Sequence, residues 1–81
     1  MKPSRESVSK VVRFVAQHLG AEASELSEAT SFLYDLGLSS FAALQLICDV
    51  EDELGCRIPN EQIKDIQTIG DLARLLDSRE P

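Results

Sequence analysis

Apolar residues recur at three- and four-residue spacing in three separate stretches of this chain, and no stretch alternates apolar with polar residues for long enough to build a sheet. Such a pattern folds as packed helices. In the first stretch Val8, Val11, Val12, Val15 and Leu19 share one face, with Lys10, Arg13 and Gln17 opposite, which predicts a helix from about Ser4 or Ser7 to Leu19. Pro3 holds off regular helix before it, and Gly20 stops it. In the second stretch Ala43, Leu46, Ile47, Val50 and Leu54 fall within an arc of roughly 100°, while Gln45, Asp49 and Asp52 lie opposite. This predicts a helix from Ser40 to about Leu54, closed by Gly55, with Phe41, Leu44 and Cys48 as a second apolar strip beside the buried face. In the third, Ile69, Leu72, Ala73 and Leu76 share a face, Thr68 is placed to cap, and Asp71 suits the positive end of the helix.

Two connections separate these helices. Gly20 to Leu38 spans about nineteen residues, longer than most structureless loops in compact domains, so it is expected to hold a short turn near Ala23 to Leu26. Leu26, Phe32, Leu33 and Leu36 are its expected apolar anchors. After Gly55, Pro59 and Asn60 punctuate the chain before a short helical turn carrying Ile63 and Ile66; Cys56-Arg57-Ile58 is too short for a strand. The expected fold is all-α, a small helical bundle with one long loop. Residues 1–81 are expected to form a single domain, with 77–81 a fraying tail.

A chain of 81 residues buries a modest core and has little room for a deep catalytic cavity. Fourteen acidic against eight basic residues give a net charge of −6, which repels a nucleic-acid backbone or an anionic membrane and attracts a basic protein surface. Neither nucleic acid nor membrane is an expected partner, and the expected state is a monomer. The first ten residues hold no apolar leader, and no run of eighteen apolar residues occurs, so the expected location is cytoplasmic. Cys48 and Cys56 lie eight apart outside any CxxC pattern, with His18 the one histidine, so zinc and redox motifs fail on ligand count and both thiols are expected reduced. His18 has no sequence pattern around it to complete a catalytic triad and reads as a surface or boundary residue.

Asp35-Leu36-Gly37-Leu38-Ser39-Ser40-Phe41 delivers hydroxyls to the start of the second helix, where Ser39 or Ser40 can cap it. A helix N-terminus offers free N–H groups and the positive end of the peptide dipoles, so a phosphate ester on a serine there is stabilised. Ser40 is therefore a candidate phosphate carrier; the simpler reading makes both serines helix caps.

The wider pattern resembles the acyl carrier protein family over nearly the whole chain, from the first helix through Leu76. The resemblance rests on Ser31-Phe32-Leu33-Tyr34-Asp35-Leu36-Gly37, Ser40 followed by Phe41, Glu51-Asp52-Glu53-Leu54-Gly55, Ile58-Pro59 and Thr68-Ile69-Gly70-Asp71, in that order and spacing. It implies a four-helix bundle with a long loop between helices one and two and a short third helix. It also implies that Ser40 carries a 4′-phosphopantetheine arm, placed from coenzyme A by a separate phosphopantetheinyl transferase, whose thiol holds an acyl or aminoacyl group as a thioester. Such a chain is not an enzyme; the reactive thiol belongs to the arm, not to Cys48 or Cys56. The family usually has Asp before the modified serine, where this chain has Ser39, and fatty-acid carriers usually have acids where Ala42 and Gln45 stand. The departure implies a specialised fatty-acid, polyketide or related pathway.

Glu51-Asp52-Glu53, with Asp49 and Asp35, suits docking on basic patches of acyl- or amino-acid-activating ligases and synthases. Phe41, Leu44 and Cys48 are expected either to supply the apolar part of that contact or to pack under the long loop. Ala43, Leu46, Ile47 and Ile63 would line any cleft between the second and third helices, but apolar helical stripes are nearly always core. The competing reading is an unmodified helical adaptor of the same fold. A hydrolase acting through Ser40 lacks a general base and an oxyanion arrangement.

Overall fold

A computed structural model describes residues 2–79 of the chain. Helix α1 (Arg5–Leu19) is followed by a 3₁₀ turn (Ala23–Glu25), then α2 (Ser40–Leu54), the one-turn α3 (Asn60–Ile63) and α4 (Ile69–Arg79). These are the expected elements in the expected order. The described residues hold no strand; an isolated antiparallel bridge pairs Ser31 with Thr68. Gly20 and Gly55 end α1 and α2 in the left-handed conformation, at φ 70° and 67°, where a Cβ would be strained.

The apolar stripes meet in one core. Val11, Val15, Val50, Ile69 and Leu72 are fully buried, with Leu46, Ile47, Ile58 and Leu76 around them. α1 packs most extensively on α4. Three expectations about burial are corrected. Leu19, in the last turn of α1, remains 38% exposed; Leu54 is only half-buried at the end of α2; and Leu33 is 42% exposed, because its neighbour Phe32 takes the inward direction. Near the C-terminal end of α1, His18 stacks on Phe14 with ring centroids 5.6 Å apart, and its Nε2 lies 3.4 Å from Asp49 on α2. It is a boundary residue, as its surroundings in sequence suggested.

The long loop is held by the segment that leads into α4. Phe32 N–H donates to Gln67 O (3.0 Å), Ile69 N–H to Thr30 O (3.0 Å) and Gly70 N–H to Glu28 O (2.8 Å). These bonds satisfy the N–H of Phe32 and the carbonyls of Thr30 and Glu28 in the loop. Gly70 is required by this contact: a Cβ there would sit 2.8 Å from Glu28 O, so any side chain would push the loop away. α4 starts from a reciprocal cap, in which Asp71 N–H donates to Thr68 Oγ1 and the Asp71 carboxylate accepts from the N–H groups of Gln67 and Thr68.

The C-terminal end departs from expectation. α4 continues through Asp77 and Ser78 to Arg79, so the tail expected to fray from Asp77 is helical that far; Glu80 and Pro81 lie outside the described residues. The Asp77 carboxylate reaches the start of α1, accepting from Ser4 N–H (2.6 Å), from the Ser4 hydroxyl (2.8 Å) and from the hydroxyl of buried Ser7. Ser4 in turn caps α1 by accepting from Ser7 N–H (3.2 Å). One carboxylate thus joins the two helices at their shared end.

These hydrogen bonds, that from Ser7 foremost, hold the Asp77 carboxyl below the ordinary carboxylate value, with Lys10 adding a smaller pull. Between the lowered and the ordinary value the unfolded chain binds more protons than the folded one, so stability rises with pH there. The Asp77 contribution is complete above the ordinary value and is lost as pH falls through the lowered one. Asp77→Asn is therefore expected to melt below wild type near neutral pH and to approach it as the pH falls through the lowered value. Thermal melts across that range test this; a gap independent of pH would show that the carboxylate charge is not involved.

Candidate functional site

The site begins with a division of labour between adjacent serines. Ser39 stands at the N-cap of α2 in extended conformation (φ −72°, ψ 164°), and its hydroxyl accepts from Ala42 N–H at 3.1 Å. Its carbonyl takes the first helical bond, from Ala43 N–H at 2.9 Å. Ser40 is the first residue of the helix, and its side chain points to solvent without a hydrogen bond among the described residues. The choice between the serines as cap is settled by geometry: Ser39 caps and Ser40 is left available. The backbone N–H groups of Ser40 and Phe41 also lack acceptors among the described residues, and the first turn of α2 holds no acid. An anion joined to Ser40 therefore meets donors and a positive dipole end without a repelling carboxylate in that turn.

The loop fixes where this serine stands. Gly37 turns the chain at φ 67°, and Leu38 N–H donates back to Phe32 O at 3.1 Å. Ser39 follows directly, so a single hydrogen-bonded turn carries the buried Phe32 ring at one end and leads into the cap of α2 at the other.

An apolar groove of about 490 Å³ opens beside Ser40. One wall is formed by Phe32 and Leu33 of the loop with Ser40, Ala43, Leu44 and Ile47 of α2; the other is formed by Asn60, Ile63, Lys64 and Ile66. Of the four residues considered for a cleft between the second and third helices, Ala43, Ile47 and Ile63 line this groove while being at most 8% exposed. They are core and groove floor at once, whereas Leu46, 2% exposed, is core and is not among the lining residues. Asn60, Lys64 and the exposed Leu33 were not singled out as site residues from the sequence.

The residues expected to meet partners fall in three places. Phe41 is 76% exposed and Leu44 44%, both beside Ser40, so neither packs under the long loop. Cys48, Glu51 and Asp52 line a different cleft of about 900 Å³ at the far end of α2, with Arg57 and Pro59 opposite. Asp35 lies on the loop side, where its carboxylate accepts from Ser31 N–H at 2.6 Å and closes the turn before Gly37. Glu51 acts in a similar way, its carboxylate accepting from Ile58 N–H at 2.6 Å and tying the chain after α2 back onto the helix. Asp52 and Glu53 are exposed.

Both cysteines are half-buried thiols outside any disulfide. Partial burial, followed by the charges of Glu51, Asp49 and Asp52, pushes the Cys48 thiol up from its ordinary value, which keeps it protonated near neutral pH and a poor nucleophile. Among the described residues no group of three or more His, Cys, Asp or Glu is placed to hold a metal ion, and no helix is long and apolar enough to cross a membrane.

Residues 9–76 match the family model described as the phosphopantetheine attachment site. The fold is similar to that of the acyl carrier protein from Enterococcus faecalis, with a TM-score of 0.74 and 25% sequence identity over 93% of this chain and 95% of that one. The four helices, the long loop and the short third helix expected from the sequence are those of the structure. The chain thus belongs to the acyl carrier protein family, with 4′-phosphopantetheine as its covalent cofactor, and acts as a carrier rather than as an enzyme.

Proposed function

We propose that Ser40 is the attachment residue, and that the chain presents an acyl or aminoacyl group to partner enzymes of a specialised fatty-acid, polyketide or related biosynthetic pathway. The observation that carries this reading is the free, exposed hydroxyl of Ser40 at the N-terminus of α2, next to a serine whose hydroxyl is already committed to capping. The residues present fit the group: a phosphodiester at Ser40 would face the open N–H groups of the first turn, and the adjoining groove leaves apolar surface beside it. In the loading step the Ser40 oxygen bonds to the phosphorus of coenzyme A that bears the pantetheine, the phosphoanhydride breaks, the nucleotide half leaves, and the hydroxyl proton passes to the transferase. Once bound, the arm supplies a thiol that holds the cargo as a thioester.

The chain's own residues position and advertise this site. Phe41 and Leu44 offer exposed apolar surface beside Ser40, and Asp52 and Glu53 place negative charge toward the other end of the same helix. This arrangement suits a phosphopantetheinyl transferase, an activating ligase and a synthase or transferase that each combine an apolar contact with a basic patch, since charge speeds encounter while buried apolar anchors supply affinity. With Ser39, Ala42 and Gln45 uncharged, the contact nearest Ser40 is apolar and depends little on salt. The setting that fits is a cytoplasmic monomer.

Intact-mass measurement after incubation with coenzyme A, magnesium and a promiscuous phosphopantetheinyl transferase tests the reading. The expected result is one added phosphopantetheinyl group, mapped within 36–57. No addition, with the transferase active on a control carrier, would leave the adaptor as the better account.

A further inference from the structure

We propose that Lys64 serves as counter-ion to the phosphate of the arm, so that modification of Ser40 ties α3 to α2. The inference rests on Ser40 as the attachment residue. Ser40 and Lys64 line opposite walls of the same groove, one at the start of α2 and the other at the C-terminal end of α3. The Lys64 side chain has no hydrogen bond or ion pair among the described residues, although the chain holds fourteen acids to eight bases. The groove between them is otherwise lined mainly by apolar side chains, such as Phe32, Ile47 and Ile63, and charges beside apolar walls interact more strongly than they do in bulk water. A phosphodiester at Ser40 introduces an anion into a turn of α2 that contains no basic side chain, and an ammonium on a flexible four-carbon stem binds phosphate as a point charge.

The consequence falls on α3. A single turn of four residues is too short to persist on its own helix propensity and depends on Ile63 being held against the core. An ion pair from the residue that ends this turn to the start of α2 fixes its position from the open side. The modified carrier is then the more stable form, and the gain is electrostatic.

The experiment compares wild type, Lys64→Met and Lys64→Arg, each unmodified and each converted by the transferase, with completeness checked by intact mass. Modification is expected to raise the melting temperature of wild type and Lys64→Arg by about 2–4 °C in low salt, as an exposed ion pair should in a domain of this size. The same step should raise Lys64→Met by less than about 1 °C, and about 0.5 M salt should remove most of the wild-type gain. The ³¹P resonance of the attached phosphate should also differ between wild type and Lys64→Met. Full mass gain with an equal thermal shift in all three, or with none in wild type, overturns the role of Lys64 and leaves Ser40 untouched. Absence of mass gain in every form overturns the attachment reading, and this inference with it.

Discussion

Ser40→Ala is expected to take up no phosphopantetheine at all while melting close to wild type, and Ser39→Ala is expected to do the reverse: melt lower and still be modified. The two hydroxyls are neighbours in sequence but perform different work. The Ser39 hydroxyl accepts from Ala42 N–H at 3.1 Å, so removing it strips the cap from α2, which costs about 1 kcal/mol and lowers the melting temperature by about 4–8 °C. The Ser40 hydroxyl makes no such bond among the described residues, and its loss should change stability by less than about 0.5 kcal/mol. Modification needs an exposed oxygen, and Ser40 offers one. Intact mass and a thermal melt on each variant give a two-by-two outcome. If Ser39→Ala were the variant that fails to gain mass, with Ser40→Ala modified, the assignment would move by one residue and the cap would have to be released for loading.

The replacement of the family's usual aspartate by Ser39 becomes intelligible in the same terms. Aspartate and serine are both good N-caps, so the start of α2 keeps its geometry while losing a charge next to the Ser40 oxygen. With Ala42 and Gln45 also uncharged, the acidic character of α2 begins only at Asp49. If Ser40 is the attachment residue, as proposed, partner enzymes that rely on carboxylates close to it find none in the first turns of this helix, which is a physical ground for selection among carriers that share one fold.

What could be read from the sequence was local. Helical periodicity placed α2 and the starts of α1 and α4 within a residue or two of where they are observed, because an apolar stripe and a capping hydroxyl act within a turn or two, whereas the C-terminal end of α4 was missed. The position of Ser40 at the start of α2 was legible for the same reason. On the other side of the groove only Ile63 was legible; Asn60 and Lys64 were not, since they join Ser40 at one groove only through the placement of α3, which depends on contacts among α2, the loop and the chain beyond Gly55. Glu51 and Asp35 read as surface charge for docking, and the structure shows both carboxylates closing backbone turns, a role visible only when Ile58 N–H and Ser31 N–H are in place. Asp77 looked like the beginning of a tail for an equivalent reason: its partners, Ser4 and Ser7, lie at the other end of the chain.

Phe32→Ala is expected to be the most damaging single truncation near the site, removing about 3–5 kcal/mol from a domain whose total stability is on the order of 5–15 kcal/mol. The ring is 1% exposed and belongs to the central core, yet its residue lies in the long loop rather than in a helix. The loop has few other deeply buried side chains to hold it, since Leu33 is 42% exposed and Leu26 and Leu36 are only half-buried. Phe32 also fixes the backbone on both sides, with its N–H bonded to Gln67 O and its carbonyl accepting from Leu38 N–H. Losing the ring therefore leaves a cavity and frees the turn that leads into the Ser39 cap. The melting temperature should fall by more than about 12 °C. At a temperature where the variant is still folded, loading of Ser40 should be slower than in wild type, because the serine is less firmly presented. Phe32→Leu retains much of the buried area and separates the two effects: it should recover at least half of the lost stability and most of the loading rate. A melt of Phe32→Ala within about 2 °C of wild type would mean that the ring is not in the core, and the loop would then have to be held by its backbone bonds to the segment before α4.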